Sequence, residues 1–247
     1  LLCLLTCFVV GCASESKPLK QENTAIAAYS VTDDRGKVFN FTEPPKRMLT
    51  TSLAFQDILL EMVPVEHFIA TSVSAADPNY SMTAELSKKI SNKYRPRITV
   101  EQVLKYKPDL FLTTPLTNPE VSSTLEDMGV KVFMLNQAET YDDIKKSITK
   151  LGNLVNEKEK SVAILKKMEA SEKALAEKLT LIPKDKQKLA IQLTYSGTYG
   201  MLQNIFGMLC DLAHVKNGMA IMPVRASMPV SKEKIVELNP DVLFLPS

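Results

Sequence analysis

The strongest constraint on the fold is a helix-and-strand segment that occurs twice. Residues 98–112, ITVEQVLKYKPDLFL, lie over residues 230–244, VSKEKIVELNPDVLF, at a constant offset of 132 positions. Glu101 falls on Glu233, Pro108 on Pro240 and Asp109 on Asp241, and apolar residues coincide from positions 103, 104, 106 and 110. Each copy opens with a hydroxyl residue, Thr99 or Ser231, suited to accept from the free N–H groups at the start of a helix. The glutamate two residues on sits where the helix dipole favours a carboxylate. A Pro-Asp step then stops the helix, and an apolar strand follows. Two copies at this distance imply two similarly built halves.

The remaining pattern supplies strands alternating with helices, which argues for parallel α/β sheets. Residues 29–41 read as a hairpin around Asp33-Asp34-Arg35-Gly36, ended by Pro44-Pro45. Strands are expected over 46–52, 109–114, 130–135 and 189–194, and helices over 53–62, 98–106 and 121–128, the last closed by Gly129. From 141 to 180, Ile144, Ile148, Leu151, Val155, Val162, Leu165, Met168, Leu175 and Leu179 recur at threes, fours and sevens. This predicts one long helix with a single apolar stripe and a jog at Gly152-Asn153. Gly152 and the uneven spacing argue against a coiled coil. The expected organisation is a signal segment over 1–11, a tether over 12–25, an N-terminal lobe over 26–140, the connecting helix over 141–183 and a second lobe over 184–247.

The chain opens LLCLLTCFVVGC, an apolar run too short to span a bilayer core of about 30 Å. It fits the hydrophobic region of a secretory signal. Its end, VVGC, resembles a bacterial lipobox, whose cysteine, here Cys12, is acylated. Cys3 and Cys7 then leave with the signal, and Cys210 is left without an internal disulfide partner. A metal site at Cys3, Cys7 and Cys12 has no His or carboxylate among those residues to complete it. The expected location is outside the cytoplasm, held to the membrane surface by lipid.

Charge and motif content narrow the chemistry. Thirty Lys and Arg against 28 Asp and Glu leave a net charge of +2, which gives no electrostatic case for nucleic acid. The common phosphate-loop, dinucleotide, zinc-protease and serine-hydrolase motifs are absent from the sequence, which favours binding over catalysis. An extracytoplasmic α/β enzyme would need a nucleophile–base pair, and His67 and His214 are the histidines on hand. A structural or adhesive lipoprotein is the third reading.

Ligands of open α/β sheets bind beyond the carboxyl ends of strands. Thr51, Ser52, Ser72, Ser74, Thr113, Thr114 and residues 195–199 occupy such positions. Tyrosine offers a flat face with a polar tip, and arginine pairs with carboxylate or catecholate oxygens. Tyr80, Arg97, Tyr195, Tyr199 and Arg225 are therefore the candidate ligand contacts, together with Thr51 and Ser52. Met201, Met208, Met219, Met222 and Met228, with His214, suggest haem ligation, against which stands the use of Met to fill core gaps. His67 reads as a surface residue.

The hairpin Val31–Phe41 before Pro44-Pro45-Lys46-Arg47, the E-x-x-x-x-x-x-P-D-[LV] segment in both halves, and the DDI…LG…EKE stretch over 142–159 stand in a characteristic order. From about residue 26 to its end the chain resembles the periplasmic-binding-protein family that serves ABC importers of iron–siderophores, haem and cobalamin. The resemblance implies an α/β fold of two Rossmann-like lobes joined by one long rigid helix, with ligand in the cleft between them. It implies a ferric chelate as ligand, with haem or cobalamin as the alternative, and no resident cofactor or metal site. It further implies that Glu101 and Glu233 face an ABC permease, itself served by a cytoplasmic ATPase, and that the protein acts as a monomer. Family members continue past the second Pro-Asp strand, so a truncated C-terminal lobe is expected, its last strand exposing apolar surface.

Overall fold

The structure, a computed structural model, describes residues 28–95, 97–183, 186–193, 205–221 and 231–245. The expected signal segment, tether and Cys12 lie outside these residues, as do Tyr195, Tyr199, Arg225, Met201, Met222 and Met228.

The N-terminal lobe starts with the hairpin of β1 (Tyr29–Thr32) and β2 (Val38–Phe41), antiparallel with Tyr29 opposite Phe41. Gly36 takes the left-handed turn position at φ +83°. The buried Asp33 carboxylate accepts from the backbone N–H groups of Arg35 and Lys37 and from Arg35 Nε, and the Arg35 guanidinium reaches Glu126 and the Val132 carbonyl. The hairpin is thereby fastened to the sheet of β3 (Met48–Thr50), β6 (Leu110–Thr113) and β7 (Val132–Met134), all parallel with β6 central. β4 (Thr71–Ser72) and β5 (Lys93–Tyr94) form a second parallel pair, linked to β3 by a bridge between Phe68 and Met48.

Every residue of β3 and β6 is buried, as expected of a parallel sheet covered on both faces. Leu110 and Leu112 join one core with Phe55, Leu59, Phe133, Ile148 and Leu151, while Phe111 points into another with Leu49, Val103, Leu125 and Val132. The flanking helices are α1 (Leu53–Leu60), α2 (Ala84–Lys88), α3 (Val100–Tyr106) and α4 (Pro119–Asp127).

The connecting region differs from expectation. Over 141–183 the chain forms two helices, α5 (Tyr141–Leu154) and α6 (Lys158–Leu179), separated at Asn156, which takes φ +55°. The two lie antiparallel: Gly152 meets Ser161 near the turn, and Tyr141 meets Glu172 farther out. α5 belongs to the N-terminal lobe, so the long connecting helix is the 22-residue α6 alone. Its first half packs on that lobe through Ile164, Leu165 and Met168, and Lys160 donates to the Met62 carbonyl. Residues 169–178 are exposed except for the half-buried Glu172.

Beyond α6, β8 (Leu189–Gln192) pairs in parallel with β9 (Lys216–Asn217) and β10 (Val242–Phe244), accompanied by α7 (Ile205–Leu212), α8 (Gly218–Ile221) and α9 (Lys232–Leu238). The duplication holds in atomic detail. Thr99 Oγ1 accepts from Gln102 N, and Ser231 Oγ from Lys234 N. α3 and α9 both end on a left-handed residue, Lys107 (φ 51°, ψ 59°) and Asn239 (φ 47°, ψ 60°). Asp109 then accepts from the backbone N–H groups of Lys46 and Arg47 at 2.8 and 3.0 Å, entering β3, while Asp241 accepts from Leu189 N at 2.8 Å, entering β8. Leu110 stands opposite Met48 in one sheet, and its counterpart Val242 stands opposite Ala190 in the other. β10 is exposed along its length.

Candidate functional site

The carboxyl ends of β3, β4 and β6 open onto a cleft of about 890 Å³. Each strand there hands over to a helix, a 3-10 helix or a turn, so the hydroxyls that line it also shape it. Ser52 caps α1 by accepting from Phe55 N, Ser72 accepts from Ser74 N at the head of a 3-10 turn, and Thr114 Oγ1 accepts from Leu116 N. Thr51, Thr113 and Thr117 form a hydroxyl cluster, with Thr113 Oγ1 donating to Thr117 Oγ1 at 2.6 Å and Thr51 Oγ1 3.0 Å from Thr117 Oγ1. An α-helix cap such as Ser52 contributes about 1 kcal/mol to local helix stability. The cleft floor is therefore set before any ligand arrives.

Below it, Tyr94 donates its hydroxyl to the Thr50 carbonyl, and burial pushes its phenol pKa well above the ordinary value. It serves as a support with its polar tip already engaged. Arg97 lies on the cleft wall with an exposed side chain and a backbone φ of 72°, an uncommon conformation for a residue with a Cβ. Such strain clusters at ligand clamps. Glu101, in the first turn of α3, lines the same wall. The Thr99 hydroxyl and the residue's own backbone N–H hold its carboxyl below the usual range. Glu233 is held low by its own backbone N–H and then by the Ser231 hydroxyl. Both are exposed and ionised at neutral pH.

Of the residues singled out in the sequence, Thr51, Ser52, Ser72, Ser74, Thr114 and Arg97 line this one cleft. Tyr80 does not; it stands 62% exposed in the segment between β4 and α2. Thr117, Asn118 and Gln137 join the lining without having been singled out. They follow the strand ends by several residues, beyond the reach of the rule that found the others. All described lining residues belong to the N-terminal lobe.

Other expectations change. His67 is half-buried in a short 3-10 turn, its Nδ1 buried without a hydrogen-bond partner, rather than on the surface. Met219 is buried with Ile191 in the second lobe's core, and Met208 is half-buried on α7. Among the described residues no group of three His, Cys, Asp or Glu could hold a metal ion, and no helix is long and apolar enough to cross a membrane. Two smaller hollows of about 660 Å³ flank α5; in the first, Lys145 is paired with Asp142 and Lys150 with Asp34. Neither gathers strand ends as the large cleft does.

Residues 51–247 match the family model described as periplasmic binding protein. The chain is 23% identical over 251 residues to an uncharacterised ABC transporter substrate-binding lipoprotein of Bacillus subtilis, YvrC, covering 98% of this chain and 77% of the relative. Among solved structures it resembles the periplasmic haem-binding protein RhuT from Roseiflexus sp. RS-1 in apo form, with TM-score 0.70, 18% identity, and coverage of 81% of this chain and 76% of that one. It also resembles the molybdate-bound periplasmic binding protein MolA of Haemophilus influenzae, with TM-score 0.73, 18% identity, and coverage of 88% and 73%. At these identities the likeness is one of fold.

Proposed function

The chain belongs to the periplasmic binding protein family, and on that footing we propose that it is the substrate-binding component of an ABC importer, capturing an iron–siderophore-type chelate and delivering it to the permease. The observation that carries this reading is the 890 Å³ cleft at the strand ends, with the guanidinium of Arg97 on its wall. Guanidinium donors suit carboxylate, hydroxamate or catecholate oxygens at the rim of a chelated metal. Apart from the Glu101 carboxylate, the rest of the described lining is hydroxyl, amide and aliphatic, with Tyr94 already bonded to the backbone. That composition favours an oxygen-rich solute. Binding rather than catalysis is the activity.

A haem or cobalamin ligand is the second reading, favoured by the haem-binding relative. Against it, Met219 is buried with Ile191 in the second lobe's core. Tyr195, Tyr199 and Arg225 are the contacts proposed from the second lobe, and among the described residues Tyr80 is the one proposed contact that lies away from the cleft.

Delivery follows from the duplication. Glu101 and Glu233 occupy the same position in two copies of one capped helix, so each lobe offers one exposed carboxylate to a pair of permease subunits driven by a cytoplasmic ATPase. Cys12 is the proposed lipid attachment, placing the protein outside the cytoplasm at the membrane surface, and the working unit is a monomer.

Titration by tyrosine fluorescence against ferric siderophores, haem and cobalamin tests the ligand. The expected result is saturable quenching by a ferric chelate, weakened about tenfold or more in Arg97→Gln. Binding confined to haem or cobalamin would overturn the chelate assignment. In vesicles carrying the cognate permease, Glu101→Ala/Glu233→Ala is expected to abolish uptake at saturating ligand; full uptake would remove the docking role.

A further inference from the structure

The described cleft lining contains two charged side chains, and they are of opposite sign: Arg97 and Glu101, on the turn and first helical residues that close one wall. We infer that Glu101 takes part in choosing the ligand, pairing with Arg97 to make a two-sign surface that selects a chelate bearing a cationic or N–H donor group beside its anionic oxygens. This rests on the cleft being the ligand site and adds to Glu101 a role distinct from permease docking.

The chemistry is complementary within a few residues of chain. A guanidinium only donates, and an ionised carboxylate only accepts. A solute anionic on every face would satisfy Arg97 and be repelled by Glu101. One with a pendant ammonium satisfies both. Among the described residues Glu101 makes no ion pair with a Lys or Arg of the chain, so its charge remains available to whatever enters. The neutral remainder of the lining, Thr51, Ser52, Thr114, Thr117 and Gln137 among it, hydrogen-bonds either kind of solute and does not discriminate by charge. Among the described lining residues, discrimination by sign therefore falls to Arg97 and Glu101.

The test uses two probes of the same metal: the ferric complex of desferrioxamine B, which carries a pendant ammonium, and a highly anionic ferric tris-catecholate. Affinities are measured by tyrosine quenching and calorimetry at fixed ionic strength for the wild type, Glu101→Gln, Arg97→Gln and the exposed-surface control Glu85→Gln. The wild type is expected to prefer the ammonium-bearing chelate. Glu101→Gln should weaken that probe about tenfold and tighten the tris-catecholate, reversing or erasing the preference, while the Glu85 control leaves both affinities unchanged. Equal shifts for both probes, no shift in Glu101→Gln, or a wild type that favours the polyanion or binds neither probe would overturn the inference. If Arg97→Gln weakens binding while Glu101→Gln does nothing, the cleft stands and the selection role falls. If neither variant alters a probe that the wild type binds, the cleft assignment falls with it.

Discussion

Gly152 lies at the closest approach of α5 and α6. A Cβ there would sit 2.4 Å from Ser161 Cβ and 2.6 Å from Ser161 Oγ, so the contact admits hydrogen alone. Gly152→Ala is expected to destabilise the protein by about 1–3 kcal/mol through overpacking, read as a lower urea midpoint. Gly152→Ala/Ser161→Gly should recover much of the loss; a single variant as stable as wild type would show that the helices are not seated against each other. The sequence marks Gly152 as a disturbance in a helical pattern, but not its cause, because a tight contact between residues nine apart leaves no periodic trace. The actual reversal falls at Asn156, which reaches φ +55° without being glycine. Asn tolerates that region through its short polar side chain. Arg97 and the strand-end hydroxyls were legible for a different reason: they follow from side-chain chemistry and from a rule about where strands end.

At the level of elements, α6 is two structures in one. The proximal half is held by Ile164, Leu165, Met168 and Ser161, whereas residues 169–178 stand in solvent until Leu179 is buried again. A helical segment of that length has little stability of its own. The pair Ala174→Gly/Ala176→Gly, each exposed and each costing about 1 kcal/mol in helix propensity, should loosen the lobes without unfolding them. The expected outcome is a broader inter-lobe distance distribution by spin labelling, with faster amide exchange over 169–179 than over 158–168 already in the wild type. Uniform protection along α6 would contradict this division. The sequence shows one continuous stripe because α5 and the start of α6 turn their apolar faces to the same core. The period survives although the chain doubles back, and periodicity cannot register a reversal.

For the molecule as a whole, the duplicated helix-and-strand unit was the most legible feature, since its hydroxyl caps, first-turn glutamates and Pro-Asp stops recur in residue identity, whereas the αL terminations and the Asp109 and Asp241 clamps emerge only in the structure. The small strands β4, β5 and β9, each two residues long, were not, because so short a segment has no period to detect. The halves are nonetheless unequal among the described residues. The N-terminal lobe has two large buried clusters, and the second has two small ones centred on Ala190, Phe206 and Cys210 and on Ile191 and Met219. The strand-end hydroxyls carry a longer consequence. Ser52, Ser72 and Thr114 hold helix and turn starts while facing the cavity, so replacing them would fray the scaffold as well as alter recognition. Inherited drift in cargo preference is thereby channelled toward the few wall positions without such a second duty, with Arg97 and Gln137 the natural places for descendants of this chain to change their diet.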